Sequence, residues 1–266
     1  MLLALAAAAA VSALALGLSP SQLLPGPGGV DLLRAFAARA FTPALAWESE
    51  LVPPDAGPLL LSVAAAALRT VLFALGGMSL ALAIAVPLGL LSSASFWSQR
   101  QSGPLSVFAL GLARAVIAGL RSVHELLWAV VFLAAFGLTP LSAVVALALP
   151  YGGTLAKIFA EMLDEAPRDA GEALRALGAA PAQVLALGIA PRALADMGAY
   201  TFYRFECALR SSAVLGFFGF ETLGYGLRQA FYNLQYGELW THLWALILLV
   251  VAIERWSGAL RRRFVA

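Results

Sequence analysis

Asp196, Arg204, Glu206 and Arg210 stand inside an otherwise apolar stretch that runs from Ala193 to Phe220. An isolated charge at the centre of a bilayer costs about 2.5 kcal/mol or more, so these side chains need partners, water or a task. Glu206 and Arg210 are four residues apart on one helical face, with Tyr203 three before Glu206 on the same stripe. Their mutual pairing is one reading. In the other, Arg210, with Arg121 from an earlier apolar segment, offers positive potential to an anion crossing a central cavity. At about 100° per residue Arg204 points roughly two-thirds of a turn away from Arg210, so the two do not face one pore. Lys157 and Glu161 form another i, i+4 pair and read as a solvated ion pair at the end of a span. Enzymatic chemistry finds no footing. There is no GxxxxGK[ST], HExxH, GxSxG or paired-Cys pattern, and Cys207 is alone. His242 reads as a packed or interfacial histidine, and no catalytic, metal or cofactor site is expected in this chain.

What must position these residues follows from composition. Of 266 residues 61% are hydrophobic and 12% charged, against about 25% charged in an ordinary soluble domain. Mean hydropathy is +0.86. With 17 basic and 15 acidic side chains, the chain cannot cover a water-soluble globule, and its net charge of +2 is too small to point to nucleic acid. The length allows about six spans of ~20 residues and no further soluble domain, so any energy source must be another chain.

The uncharged run Met1–Leu18 predicts a first, retained membrane helix, and the Pro/Gly-rich residues 19–58 an external connector with an interfacial helix over Asp31–Ala46. Arg69 is expected to divide the block Leu59–Leu91, leaving a surface helix before it and a span from Thr70 to Leu91. A polar loop around Arg100 and a weakly amphipathic stretch with Arg114 and Arg121 precede a third span rising through LLWAVVFLAAFG to Gly137. Thr139-Pro140 starts the fourth, Leu141–Ala160. Residues 161–192 are polar and lie outside the bilayer. The last apolar run, Leu239–Ile253, is too short to cross unless it extends into its flanks, and Arg261, Arg262 and Arg263 after it should stay inside. An even number of crossings between two inside segments makes 193–220 a span and gives six, with both termini cytoplasmic. Trp97, Trp240, Trp244 and Trp256 fall near helix ends, as an interfacial belt requires.

EALRALGAAPAQVLALGIAPRAL, Glu172–Leu194, reads as a helix stopped at Gly178, a second opening at Pro181, and re-entry into the bilayer at Pro191. A hinged apolar helix pair with little core of its own should dock into a groove on another protein.

This segment resembles the EAA loop of the integral-membrane permease subunits of ABC importers, with Glu172, Ala173, Gly178 and Pro191 at matching positions, Leu174 in place of the second Ala and Ile189 displaced by one. Tyr203, Arg204, Glu206, Arg210, Ser212, Val214, Leu215 and Gly216 resemble a Y-R-x-E-x-x-x-R-x-S-x-V-L-G pattern of phosphonate-uptake permeases. Arg121, Ser122, Glu125, Leu126, Trp128 and Ala129 match a second pattern of that subfamily, with His124 replacing its Pro and so removing a helix break. The stretch GFETLGYGL, 219–227, is poorer in Gly than its counterparts.

The resemblance spans about residues 60–260. It implies an all-α integral membrane protein with a type I permease core and cytoplasmic coupling helices. The expected division is 1–58 for the first helix and connector, 59–258 for the permease domain with its coupling loop at 164–192, and 259–266 for a basic tail. It also implies partners: cytoplasmic ATPase subunits that carry the ATP and Mg, a periplasmic substrate-binding protein, and a second permease subunit, identical or paralogous, within the lipid of the inner membrane. Coupling would fall to Glu172, Ala173, Gly178 and Pro191, and the pathway to Arg210, Arg121, Tyr203 and Glu206. The implied cargo is phosphonate or a relative such as phosphite or hypophosphite, whose O–P–O edge an arginine fork can grip with two parallel hydrogen bonds. The alternatives are another small anion or an ion-gradient transporter, which would show inverted repeats that the sequence lacks.

Overall fold

The computed structural model describes residues 1–19, 26, 28–48, 57–98 and 103–265, with backbone alone at 98, 181 and 263–265. The Arg100 loop lies outside the described residues. No strand occurs among them. The helices are α1 (Leu2–Ala15), α2 (Gly29–Ala38), α3 (Leu59–Ser92), α4 (Ala94–Ser98), α5 (Pro104–Ser122), α6 (Glu125–Phe136), α7 (Pro140–Glu165), α8 (Asp169–Ala176), α9 (Pro181–Gln183), α10 (Ala190–Val214), α11 (Leu223–Tyr232) and α12 (Tyr236–Val265).

Four of these, α3, α5, α7 and α12, are long and apolar enough to cross a membrane. The expected six reduce to four on that measure. α10 has the length, at 25 residues, but carries Asp196, Arg204, Glu206 and Arg210. α1 has only 14, or about 21 Å, against a hydrocarbon core of about 30 Å.

The centre is a parallel pair, α3 and α7. Gly77, Ala81, Ala85 and Gly89 recur every four residues along α3 and are all buried against α7. A Cβ on Gly77 would sit 2.8 Å from that of Leu147, and one on Gly89 3.2 Å from the Ala156 carbonyl. Missing side chains let the two backbones approach, which is how apolar helices gain dispersion contact when no water is there to drive them together. Asp164 locks one end of the pair, accepting from the Ser93 hydroxyl at 2.6 Å, the Ala94 amide at 3.0 Å and the Ser95 amide at 2.7 Å.

Arg69 does not divide α3, which runs unbroken for 34 residues. Its guanidinium pairs with Glu221, so the charge is met where it stands. Nearby, Leu59 and Val63 bury against Leu223, while the Thr70 hydroxyl accepts from the Leu223 amide at 3.1 Å. The third crossing also differs. His124 does not remove the helix break: Val123 and His124 are extended, and the imidazole Nδ1 caps α6 by accepting from the Leu126 amide at 3.3 Å. The crossing therefore consists of α5 and α6 in series from Pro104 onward, and Arg121 stands about halfway along it, beside Gly153 in the middle of α7.

α12 extends the short apolar run Leu239–Ile253 in both directions to 30 residues, as its length demanded. The connector helix α2 is fastened to the beginning of α12. Trp240 Nε1 donates to the Phe36 carbonyl at 2.7 Å and Trp244 Nε1 to that of Ala40 at 2.8 Å, so both indoles staple the connector as well as marking a helix end. His242 is buried and bonds the Glu238 carbonyl at 2.9 Å, a packed histidine as its surroundings suggested.

Candidate coupling hairpin and anion cavity

The hairpin is built by local rules. α8 places Asp169 and Glu172 in its first turn, where the helix dipole favours them. It ends with Gly178 at φ +82°, a left-handed conformation that glycine adopts freely. The Gly178 amide donates to the Arg175 carbonyl at 3.0 Å and the Ala179 amide to that of Leu174 at 3.0 Å, which satisfies carbonyls the helix end would leave bare. Gln183 then reaches back to accept from the Ala180 amide at 2.8 Å. Beyond Pro181 the chain is one rod: α9, a π-helical turn over Val184–Ile189, and α10, with Pro191 in its first turn.

The hairpin buries only a small core of its own. Gly171, Val184, Gly188 and Ile189 are buried, and a Cβ on Gly188 would come 2.8 Å from the Gly171 Cα. Ile189 and Ala193 continue that core onto Leu163 and Ala166. Glu172, Ala173, Gly178 and Pro191 remain exposed. Leu177, 84% exposed, presents an apolar tip.

The charges of α10 find partners across the helix seam. Arg210 pairs with Glu254 at 3.3 Å and Glu206 with Arg261 at 2.9 Å, both on α12. The i, i+4 pairing of Glu206 with Arg210 is not formed, because antiparallel α12 brings a complementary Glu and Arg alongside. Glu206 is buried, 6% exposed. Tyr203 leaves the expected stripe. Its ring and that of Tyr200 lie under the Arg204 guanidinium, 5.8 and 5.1 Å away, and Arg204 Nε donates to the Tyr200 hydroxyl at 2.7 Å.

Three helices meet at a polar joint absent from the sequence reading. The Ser211 hydroxyl of α10 donates to Glu125 of α6 at 2.7 Å and lies 2.9 Å from the Tyr151 hydroxyl of α7. A lone Tyr in the apolar run of α7 was the available signal, since a buried phenol needs a partner.

A cavity of about 420 Å³ opens between α5, α7 and the end of α3, lined among others by Arg114, Arg121, Lys157, Glu161 and Asp164. It contains Arg121 but not Arg210, so the structure does not bring the two anion candidates together. Lys157 and Glu161 pair at 3.3 Å, each about half exposed, as expected. A second cavity, about 320 Å³ at the opposite end of α7, holds Arg69, Glu221 and Gly219. No cluster of three His, Cys, Asp or Glu fit for a metal lies among the described residues.

Long apolar helices around a close-packed pair, charges neutralised between helices and a hinged hairpin at one end define a multi-pass α-helical membrane protein. The family model described as the binding-protein-dependent transport system inner membrane component matches residues 85–264, and the chain belongs to that family. It is 34% identical over 170 residues to a phosphite transport system permease protein of Stutzerimonas stutzeri, covering 64% of this chain and 62% of that one. It is 31% identical over 217 residues to a phosphate-import permease protein of Mycolicibacterium smegmatis, covering 82% and 40%. The chain thus spans less than two thirds of these relatives' length. Among solved structures, the MetNI methionine ABC transporter in an inward-facing conformation matches with a TM-score of 0.65 at 22% identity, covering 77% of this chain and 97% of that one. An amino acid ABC transporter matches equally, TM-score 0.65 at 17% identity, covering 77% and 94%. These two share the fold.

Proposed function

We propose that the chain is the permease subunit of an ATP-driven importer and forms the pathway for phosphonate or a related phosphorus oxyanion by alternating access. The observation that carries the cargo is that relatives over 30% identical are named for phosphite and phosphate import. The exposed hairpin supports the motor. Glu172, Ala173, Gly178 and Pro191 would be received by a separate cytoplasmic ATPase that carries the ATP and Mg, and α10 would transmit the movement, since hairpin and span are one rod. This puts the hairpin and the end of α12 on the cytoplasmic side of the inner membrane, and the N-terminus with them if the short α1 crosses by locally thinning the bilayer. A periplasmic binding protein would deliver cargo at the connector end, and a second permease subunit would complete the pathway. Arg121 would face the pathway, whereas Arg210, Glu206 and Tyr203 would hold α10 in its place beside it.

The test is reconstitution of the chain with its co-purifying ATPase and binding protein in proteoliposomes. Uptake of phosphite, phosphate or an alkylphosphonate that requires ATP, and is lost on deleting 172–191, is the expected result. Uptake by the lone chain driven by a proton gradient would overturn it.

A further inference from the structure

The cavity beside the hairpin end of α7 contains more positive charge than its own carboxylates neutralise. Arg114, Arg121 and Lys157 face it together with Glu161 and Asp164. Lys157 is matched by Glu161 at 3.3 Å. Asp164 is engaged by three donors from Ser93, Ala94 and Ser95. Arg114 spends only its Nε, on the Ser92 carbonyl at 3.3 Å. Arg121 has no hydrogen-bond or carboxylate partner among the described residues. The two arginines are seven apart on α5, two turns along one face, so both forks can bend into one space. Arg121 is also held there. Its stem packs over Gly153, where an added Cβ would lie 3.0 Å from Arg121 Cγ and 2.8 Å from Leu120 Cβ. The Arg121 side chain is exposed in the single chain, and an unneutralised guanidinium halfway along a membrane crossing is costly unless an anion visits it.

We propose that Arg114 and Arg121, with Lys157 at the rim, form a binding site for a tetrahedral phosphorus oxyanion. About 420 Å³ admits such an anion with part of its hydration shell, and two forks offer it parallel charge-assisted donors. Glu161 and Asp164 keep the site weak enough to release its ligand, as a site on a transport route must be. The assignment rests on the proposed function for the cargo's class and deepens it by naming where that cargo is held. The phosphate head of an anionic lipid has the same chemistry, and the test separates the two sources.

The full-length chain in phosphatidylcholine nanodiscs is titrated with radiolabelled inorganic phosphate, with and without phosphatidylglycerol. Saturable binding is expected, weakened at least about tenfold in Arg114→Gln and in Arg121→Gln, and unchanged in Arg34→Gln on exposed α2. Arg121→Lys, which keeps charge but loses the fork, should fall between. Phosphate binding indifferent to phosphatidylglycerol identifies the soluble anion as ligand; displacement by phosphatidylglycerol, with Arg121→Gln shedding that lipid in native mass spectra, identifies the headgroup. Either supports the site. Should a glutamine variant fail to fold, phosphate is expected to slow methanethiosulfonate labelling of Ala118→Cys in a Cys207→Ser background. Binding of both ligands unaltered in folded Arg114→Gln and Arg121→Gln, or labelling indifferent to phosphate, overturns the proposal. Arginine-dependent binding without uptake of any phosphorus oxyanion would instead leave the site standing and remove the importer reading.

Discussion

Glu206 and Arg210 show how a single helix misleads about its own charges. Four apart on one face, they meet the spacing of an ion pair, and i, i+4 is the only partnership a linear sequence displays. The actual partners lie far along the chain, Arg210 bonding to Glu254 across 44 residues. That intramembrane charges had to be met was legible; with what was not, because it depends on the register of α10 against α12. The two pairs also differ in weight. Glu206 is buried while Arg210 and Glu254 are 49% and 46% exposed. Arg261→Ala strands a buried carboxylate, and we expect it to destabilise the chain by about 3 kcal/mol in thermal or denaturant unfolding. Arg210→Gln should cost less than about 1 kcal/mol. Adding Glu206→Gln to Arg261→Ala should recover most of the loss. Equal costs for Arg261→Ala and Arg210→Gln would show that the burial of Glu206 does not matter.

At the scale of elements, helix ends were legible wherever their chemistry is local. Thr139 caps α7, accepting from the Ser142 amide at 3.3 Å, and Gly178 stops α8, each where the sequence placed it. The miss at His124 has a local cause too. Replacing Pro suggested a continuous helix, yet a break needs only extended backbone and a side chain able to take an orphan amide, and His supplies both. Val123 at φ −112°, ψ 129° and His124 at φ −67° already have the geometry that an X-Pro step demands. His124→Pro should therefore leave stability within about 1 kcal/mol of the parent. His124→Ala, which cannot cap, should cost about 1 kcal/mol. A large loss in His124→Pro would mean that the imidazole contact with Glu125, 3.4 Å away, outweighs the backbone. The α3–α7 seam was legible in retrospect as small residues at four-residue spacing, but hydropathy, which scores Gly and Ala as mildly apolar, hides it.

For the molecule as a whole, the question is how an event at the hairpin reaches the bundle. α10 links the hairpin to much of the bundle: it continues the hairpin through the π-helical turn and joins α12 through Glu206 and Arg210, α3 through the Ser212 hydroxyl on the Thr70 carbonyl at 2.8 Å, and α6 and α7 through Ser211. α8 is tied to this rod by the close approach of Gly188 to Gly171, by Val184 and Ile189 beside it, and by the Asp169–Arg192 ion pair at 3.6 Å. A side chain at Gly188 cannot be absorbed there, because the atoms 2.8 and 2.9 Å from its Cβ are the Gly171 Cα and N, which move only with α8 itself. Gly188→Val should thus swing α8 off the rod while sparing the bundle, whose main apolar core includes neither residue. The expected result is membrane accumulation and a melting temperature near those of the parent, with at least about a tenfold loss in affinity for the ATPase of the proposed function, since a displaced α8 no longer presents Leu177 and Glu172 in register with Pro191 on the rod. Gly198→Val, on α10 where a Cβ meets nothing within 4 Å, should leave that affinity intact. Undiminished ATPase capture by Gly188→Val would mean that α8 is not part of the gripped surface, and the mechanical route would then have to begin further along the rod, at Pro191.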